Sequence, residues 1–137
     1  MSPVRSAAFI LALVLAAPAP AQEEVDVKPA LAAAEAWLGL LDAGRLGEGW
    51  DQATAALQEA IPRPRWEIAM VASREKLGSM HGRKLRSATF TRGKTPEEDY
   101  VIIEYDTRFE LRPLTVEVVT PQRGPGNAWK VSNYIIR

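Results

Sequence analysis

Few side chains in this chain carry the chemistry that a catalyst or metal centre needs, and their spacing matches no complete site. His81 is the one histidine and stands two residues from Ser79. A Ser-His-acid triad built on them would need an acid brought from elsewhere, because a triad is defined by geometry rather than adjacency. His81 therefore reads as an exposed turn residue. The chain has no cysteine, and transition-metal sites draw on several His or Cys ligands, so no zinc site is expected. Glu97, Glu98 and Asp99 form an acidic run without the alternate ligand spacing of a Ca²⁺ loop, and they read as a solvated turn. No catalytic residue, metal or cofactor is assigned.

Binding is the chemistry that remains, and it depends on which side chains face inward. Strict alternation from Tyr100 to Glu110 sets Val101, Ile103, Tyr105, Thr107 and Phe109 on one side of a strand and Ile102, Glu104, Asp106, Arg108 and Glu110 on the other. The same reasoning turns Leu114, Val116, Val118 and Thr120 inward from the next strand, and Trp129, Val131, Asn133 and Ile135 from the last; a β-bulge would invert part of this. The inward polar groups Tyr105, Thr107, Thr120 and Asn133, with Trp129 beside them, make a candidate small-molecule pocket, Tyr105 and Asn133 foremost. None is a good general base, and the plainer reading is buried polar groups satisfied by backbone. Ile102, Val119, Tyr134 and Ile136 fall on the outer face and form a candidate dimer or partner interface. Arg83, Lys84, Arg86, Arg92 and Lys94 make the first strand basic, which protects a sheet edge from pairing; an anionic-surface contact is the second reading.

Helices and strands must position these groups. Ala30, Ala33, Ala34, Trp37 and Leu41 repeat at helical spacing, so a helix is predicted from Pro29 to Ala43, with Gly44 beyond its end. Trp50, Ala53, Thr54, Leu57, Ala60 and Ile61 predict a second helix stopped by Pro62. A third follows from Pro64, with Trp66, Ala69, Met70, Ser73 and Leu77 on one face and Gly78 as its stop. All four tryptophans fall at core phases. After Gly82 the period becomes two, predicting strands at Leu85–Arg92, Tyr100–Glu110, Thr115–Gln122 and Ala128–Ile136. Short loops between them imply an antiparallel meander. Pairing Arg108 with Glu117, and hence Phe109 with Val116, avoids setting Asp106 against Glu117 and leaves Leu111–Leu114 as the loop. Helices followed by strands predict an α+β fold, three N-terminal helices on one face of a curved four-stranded sheet.

The first 21 residues follow the order of a secretory signal: Arg5, an apolar run from Ala7 to Ala17, then Ala19-Pro20-Ala21 before Gln22-Glu23-Glu24. That run is shorter than the roughly 20 residues a membrane span requires, so no transmembrane segment is expected. The expected organisation is a signal peptide at 1–21, a flexible tail at 22–27 and one domain at 28–137, periplasmic or secreted after cleavage near Ala21-Gln22. Without cysteine the fold must rest on packing. Seventeen basic and seventeen acidic residues balance, which gives no basic excess for nucleic acid.

Four blocks in order, Ala36-Trp37-Leu38 to Asp42-Ala43-Gly44, Gly49-Trp50, Tyr100 to Phe109, and Trp129-Lys130-Val131 with Tyr134-Ile135-Ile136-Arg137, resemble the bacterial family called domain of unknown function 4019. The resemblance implies a small exported α+β domain, similar to the cone-shaped nuclear-transport-factor-like and cystatin-like folds. It carries no catalytic residues. The functional expectation is an exported, non-catalytic domain that binds a protein partner or forms a homodimer. The alternatives are a small-molecule module with a helix–sheet cavity, marked by an open pocket at Tyr105 and Asn133, and an enzyme, marked by an inward carboxylate beside a cleft.

Overall fold

The computed structural model describes residues 3–4, 12–18 and 25–137. Arg5, the start of the apolar run and the Ala19-Pro20-Ala21 site lie outside the described residues. The elements run α1 (Lys28–Asp42), α2 (Leu46–Asp51), α3 (Ala55–Ala60), α4 (Arg63–Leu77), β1 (Met80–Thr91), β2 (Tyr100–Phe109), β3 (Thr115–Arg123) and β4 (Trp129–Ile136). The fold is α+β, with four α-helices and one antiparallel sheet among the described residues, the strands in the order β1-β2-β3-β4.

Helix α1 begins with Pro29 in its first turn and buries Ala30, Ala34, Trp37, Leu38 and Leu41, a stripe at i, i+4, i+7, i+8 and i+11. It is the helix that packs most broadly on the sheet, against β2, β3 and β4. The predicted second helix is divided in two. Thr54 leaves the helical region and caps α3, its side chain accepting from the Leu57 N–H at 3.3 Å, while its own N–H is taken by the Val131 carbonyl at 2.9 Å. A threonine offered both roles favours a cap over a helix interior. Three tryptophans then tie the helices together: Trp37 Nε1 donates to the Gly49 carbonyl at 2.7 Å, Trp50 Nε1 to Ile61 at 2.8 Å and Trp66 Nε1 to Leu46 at 2.8 Å. Each ring fills apolar space while its one donor satisfies a carbonyl.

Gly78 turns the chain from α4 into β1 at φ 73°, ψ −161°, a region essentially confined to glycine. A Cβ there would lie 3.1 Å from Glu110 Cβ and Leu111 Cγ of the β2–β3 hairpin. The amides of Glu110 and Leu111 donate to the Ser79 and Leu77 carbonyls, so that hairpin closes against the end of α4.

The meander forms in the expected order, but β1 begins at Met80 rather than Leu85, because Met80 to Lys84 already pair with β2, and the β2–β3 register differs. Tyr105 pairs with Glu117, Asp106 with Val116 and Thr107 with Thr115; Arg108 is not opposite Glu117, nor Phe109 opposite Val116. An odd slip of three residues reverses the facing of β3. Thr115, Glu117, Val119 and Pro121 are buried, Val116, Val118 and Thr120 are half-buried on the outward side, and Leu114 is exposed in the hairpin. The run Val116-Glu117-Val118-Val119 has apolar residues at both parities, so alternation alone does not phase it. In β4 a bulge at Ser132, where Thr120 pairs with Asn133 and Pro121 with Val131, inverts the strand's second half. Tyr134 and Ile136 turn inward there, while Asn133 and Ile135 turn out. One core results, built from α1, Trp66, Val101, Ile103, Tyr105, Val119 and Val131.

Candidate functional site

The reversal of β3 carries a carboxylate into the interior. Glu117 is 0% exposed and accepts from Arg83 Nε at 2.8 Å, from Thr107 Oγ1 at 2.5 Å and from the Tyr134 hydroxyl. Arg83 also forms a two-pronged pair with Asp42, at 2.7 and 3.0 Å. Arg74 donates to Asp42 at 2.8 Å and to the Tyr134 hydroxyl at 3.3 Å, stands 3.7 Å from Glu117 and lies over the Phe109 ring at 5.4 Å. All four strands and the two long helices each contribute one group. Two cations meet two carboxylates, and buried charges are tolerated only when paired and hydrogen-bonded in this manner.

The electrostatics follow from that enclosure. Burial opposes ionisation of Asp42, but hydrogen bonds and charge from Arg83 and Arg74 outweigh it and hold the carboxyl below its ordinary range. Burial also opposes the Arg83 charge, and its bonds to Asp42 and Glu117 more than compensate, pushing its pKa up. Burial, then the Glu117 charge, pushes the Tyr134 phenol up, so its proton stays on oxygen and donates to Glu117. Tyr105 is pushed up to about 12 by burial and then by Glu35; its hydroxyl is buried without a partner among the described residues.

A general base must reach a substrate proton. Glu117 is fully enclosed and already holds three donors, so the arrangement suits a clamp that fixes helices to sheet. Sequence reasoning missed this cluster. Arg83 was expected as a solvated edge charge, yet it faces inward, whereas β1 does form a sheet edge and keeps Lys84 and Arg86 exposed. Asp99 also departs from a solvated turn. It is 1% exposed, paired with Arg123 at 2.7 Å, and accepts from the Gly93 N–H at 2.8 Å. The only signal available was a lone acid within a β-branched run, opposite a basic strand two positions away.

The candidate pocket residues do not come together. Tyr105 and Thr107 are buried on the inward side of β2, and Thr107 is committed to Glu117. Thr120 faces outward beside Ser132, whose hydroxyl donates to the Thr120 carbonyl, and Asn133 is exposed. Tyr105 and Asn133 thus lie on opposite faces of the sheet and share no cavity. Trp129, partly buried beneath Arg123 at 5.3 Å, lines a separate groove of about 390 Å³ with Trp37, Ala33 and Leu40. Of the candidate interface, Ile102 alone stands on the outward face at 37% exposure; Val119 is 0% exposed, Tyr134 joins the ion cluster against Trp37, and Ile136 faces inward. His81 is exposed at the start of β1 rather than in a loop.

The outward face carries Ile102, Val118 and Ile135 instead. Val118 pairs directly with Ile135 and lies diagonal to Ile102, within the reach of large side chains. Residues 33–134 match a family described as "Protein of unknown function (DUF4019)". The chain belongs to this family. The DUF4019 span contains every member of the ion cluster, from Asp42 to Tyr134, and ends inside β4. The chain matches none of the curated proteins and none of the solved structures. No helix among the described residues is long and apolar enough to cross a membrane.

Proposed function

We propose that this protein is an exported, non-catalytic interaction domain that binds a partner protein or a second copy of itself through the outward face of its sheet. The observation that carries the reading is the diagonal of Ile102, Val118 and Ile135. Ile102 is 37% and Ile135 45% exposed, with Glu104 beside them opposite Val118, a mosaic suited to a polar-rimmed contact. The enclosed state of Glu117 supports the non-catalytic part. Export rests on the order of Arg5, the apolar run and Ala19-Pro20-Ala21 in the sequence. A likeness to the cystatin-like and nuclear-transport-factor-like cones, with the helices against one face of a curved sheet, belongs to the same proposal.

Native mass spectrometry of the protein taken from its own periplasm tests the reading. A dimer or a defined heterocomplex that disappears in Ile102→Asp/Ile135→Asp is the expected result. A bare monomer, or a complex indifferent to those substitutions, would overturn it.

A further inference from the structure

A cleft of about 590 Å³ opens at the other end of the outward face, where β1, β2 and the β2–β3 hairpin meet. Lys84, Arg86 and Arg108 rim it, with Asp106 as the one carboxylate among the described residues. Arg86 stands 3.6 Å from Asp106. Lys84 is opposite Asp106 in the ladder, yet neither it nor Arg108 forms an ion pair among the described residues, and Arg108 is held only by a 3.4 Å bond to the His81 carbonyl. Edge protection accounts for Lys84 and Arg86 on β1. It does not account for Arg108, which stands on the interior strand β2. Bare Gly82 lies beneath Arg108, where an added Cβ would meet the guanidinium at 3.4 Å. The opposite wall is apolar, formed by Pro113, Leu114 and Val116. Leu114 is 92% exposed and Leu111, at the same hairpin, 65%.

We propose that this cleft binds an anionic headgroup carried on an apolar chain, with Lys84 and Arg108 on the anion and Leu114 with Pro113 on the first carbons of the chain. Two cations that make no ion pair among the described residues, facing an apolar wall, are complementary to that amphiphile: a bare anion leaves the leucine wet, and a neutral apolar ligand leaves the cations without a counter-charge. The source is either a free amphiphile or an anionic lipid of a bilayer, towards which the exposed leucines would point.

Two probes separate the sources. Dodecyl phosphate below its micelle concentration is titrated calorimetrically, and phosphatidylcholine vesicles with or without phosphatidylglycerol are co-sedimented with the protein. Binding to dodecyl phosphate, to the anionic vesicles alone, or to both supports the cleft and identifies the source. In each case Lys84→Gln/Arg108→Gln is expected to weaken binding roughly thirtyfold at low salt. Lys28→Gln/Arg65→Gln, which removes the same charge from exposed positions at the starts of α1 and α4, is expected to leave binding within about twofold, since charge remote from the anion acts only through a screened field. Binding to neither probe, or equal weakening by both double variants, would overturn the proposal. Circular dichroism melting confirms that each variant folds.

Discussion

Glu117 shows how much one side chain can hold. Truncating it to alanine leaves Arg83 and Arg74 facing each other across Asp42 with one counter-charge between them. The expected loss is about 3–5 kcal/mol, the cost of stranding buried charge, read from urea denaturation. Asp42 sets a pH dependence of definite sign. Its folded pKa lies below the ordinary 3.8, so the folded chain binds fewer protons than the unfolded chain in acid. The stability it contributes is whole above that ordinary value and is lost as pH falls through the lowered folded value. Urea midpoints of the parent should therefore drop on acidification below about pH 4, and those of Asp42→Asn should drop less over the same window. Equal acid slopes would show that the Arg83 and Arg74 contacts do not favour the charged carboxyl.

At the scale of elements, the turns decide more than the helices do. Gly78 occupies a backbone region that other residues avoid, and its missing side chain leaves room for Glu110 and Leu111. Gly78→Ala is expected to cost at least about 1–3 kcal/mol in chemical denaturation, where an exposed helical glycine would gain from the same change. Most helix ends and strand spans were readable because caps, prolines and periodicity are local, but β1 starts at Met80, five residues before the expected Leu85. α1 and α4 begin within a residue or so of the Pro29 and Pro64 predictions, and β2 keeps its expected facing. The division of α2 from α3 was not readable, since the hydrogen bond from Thr54 to Val131 joins residues far apart in the chain. The phase of β3 was lost for a related reason. Arg108 looked like the natural partner of Glu117, yet the cation that reaches it is Arg83, two strands away.

For the whole molecule, the candidate contacts are separable from the interior. Ile102 and Ile135 project from the sheet on the side away from Trp37 and Trp66, so Ile102→Asp/Ile135→Asp should shift stability by no more than about 0.5 kcal/mol per site while abolishing assembly. A large fall in melting temperature would instead mean that another layer of this protein covers the face. The cleft at Lys84 and Arg108 lies at the hairpin end of the same face, so its ligand binding and the Ile102 contact can be removed independently.

The sequence by itself determined the α+β class, the four-strand meander order, the inward side of β2 and the core role of Trp37, Trp50 and Trp66, because those depend on periodicity, propensity and local turn chemistry. It also carried enough ordered blocks for the family to be named. Only the tertiary structure decided that Glu117 is inside, that Tyr134 and Asn133 exchange faces through the Ser132 bulge, and that Arg83 serves the interior while Lys84 and Arg108 serve the surface. Each of those outcomes turns on register or on a bulge, where one residue of slip moves a side chain between water and core, and the energies that select among registers come from partners that meet only when the sheet and helices are assembled.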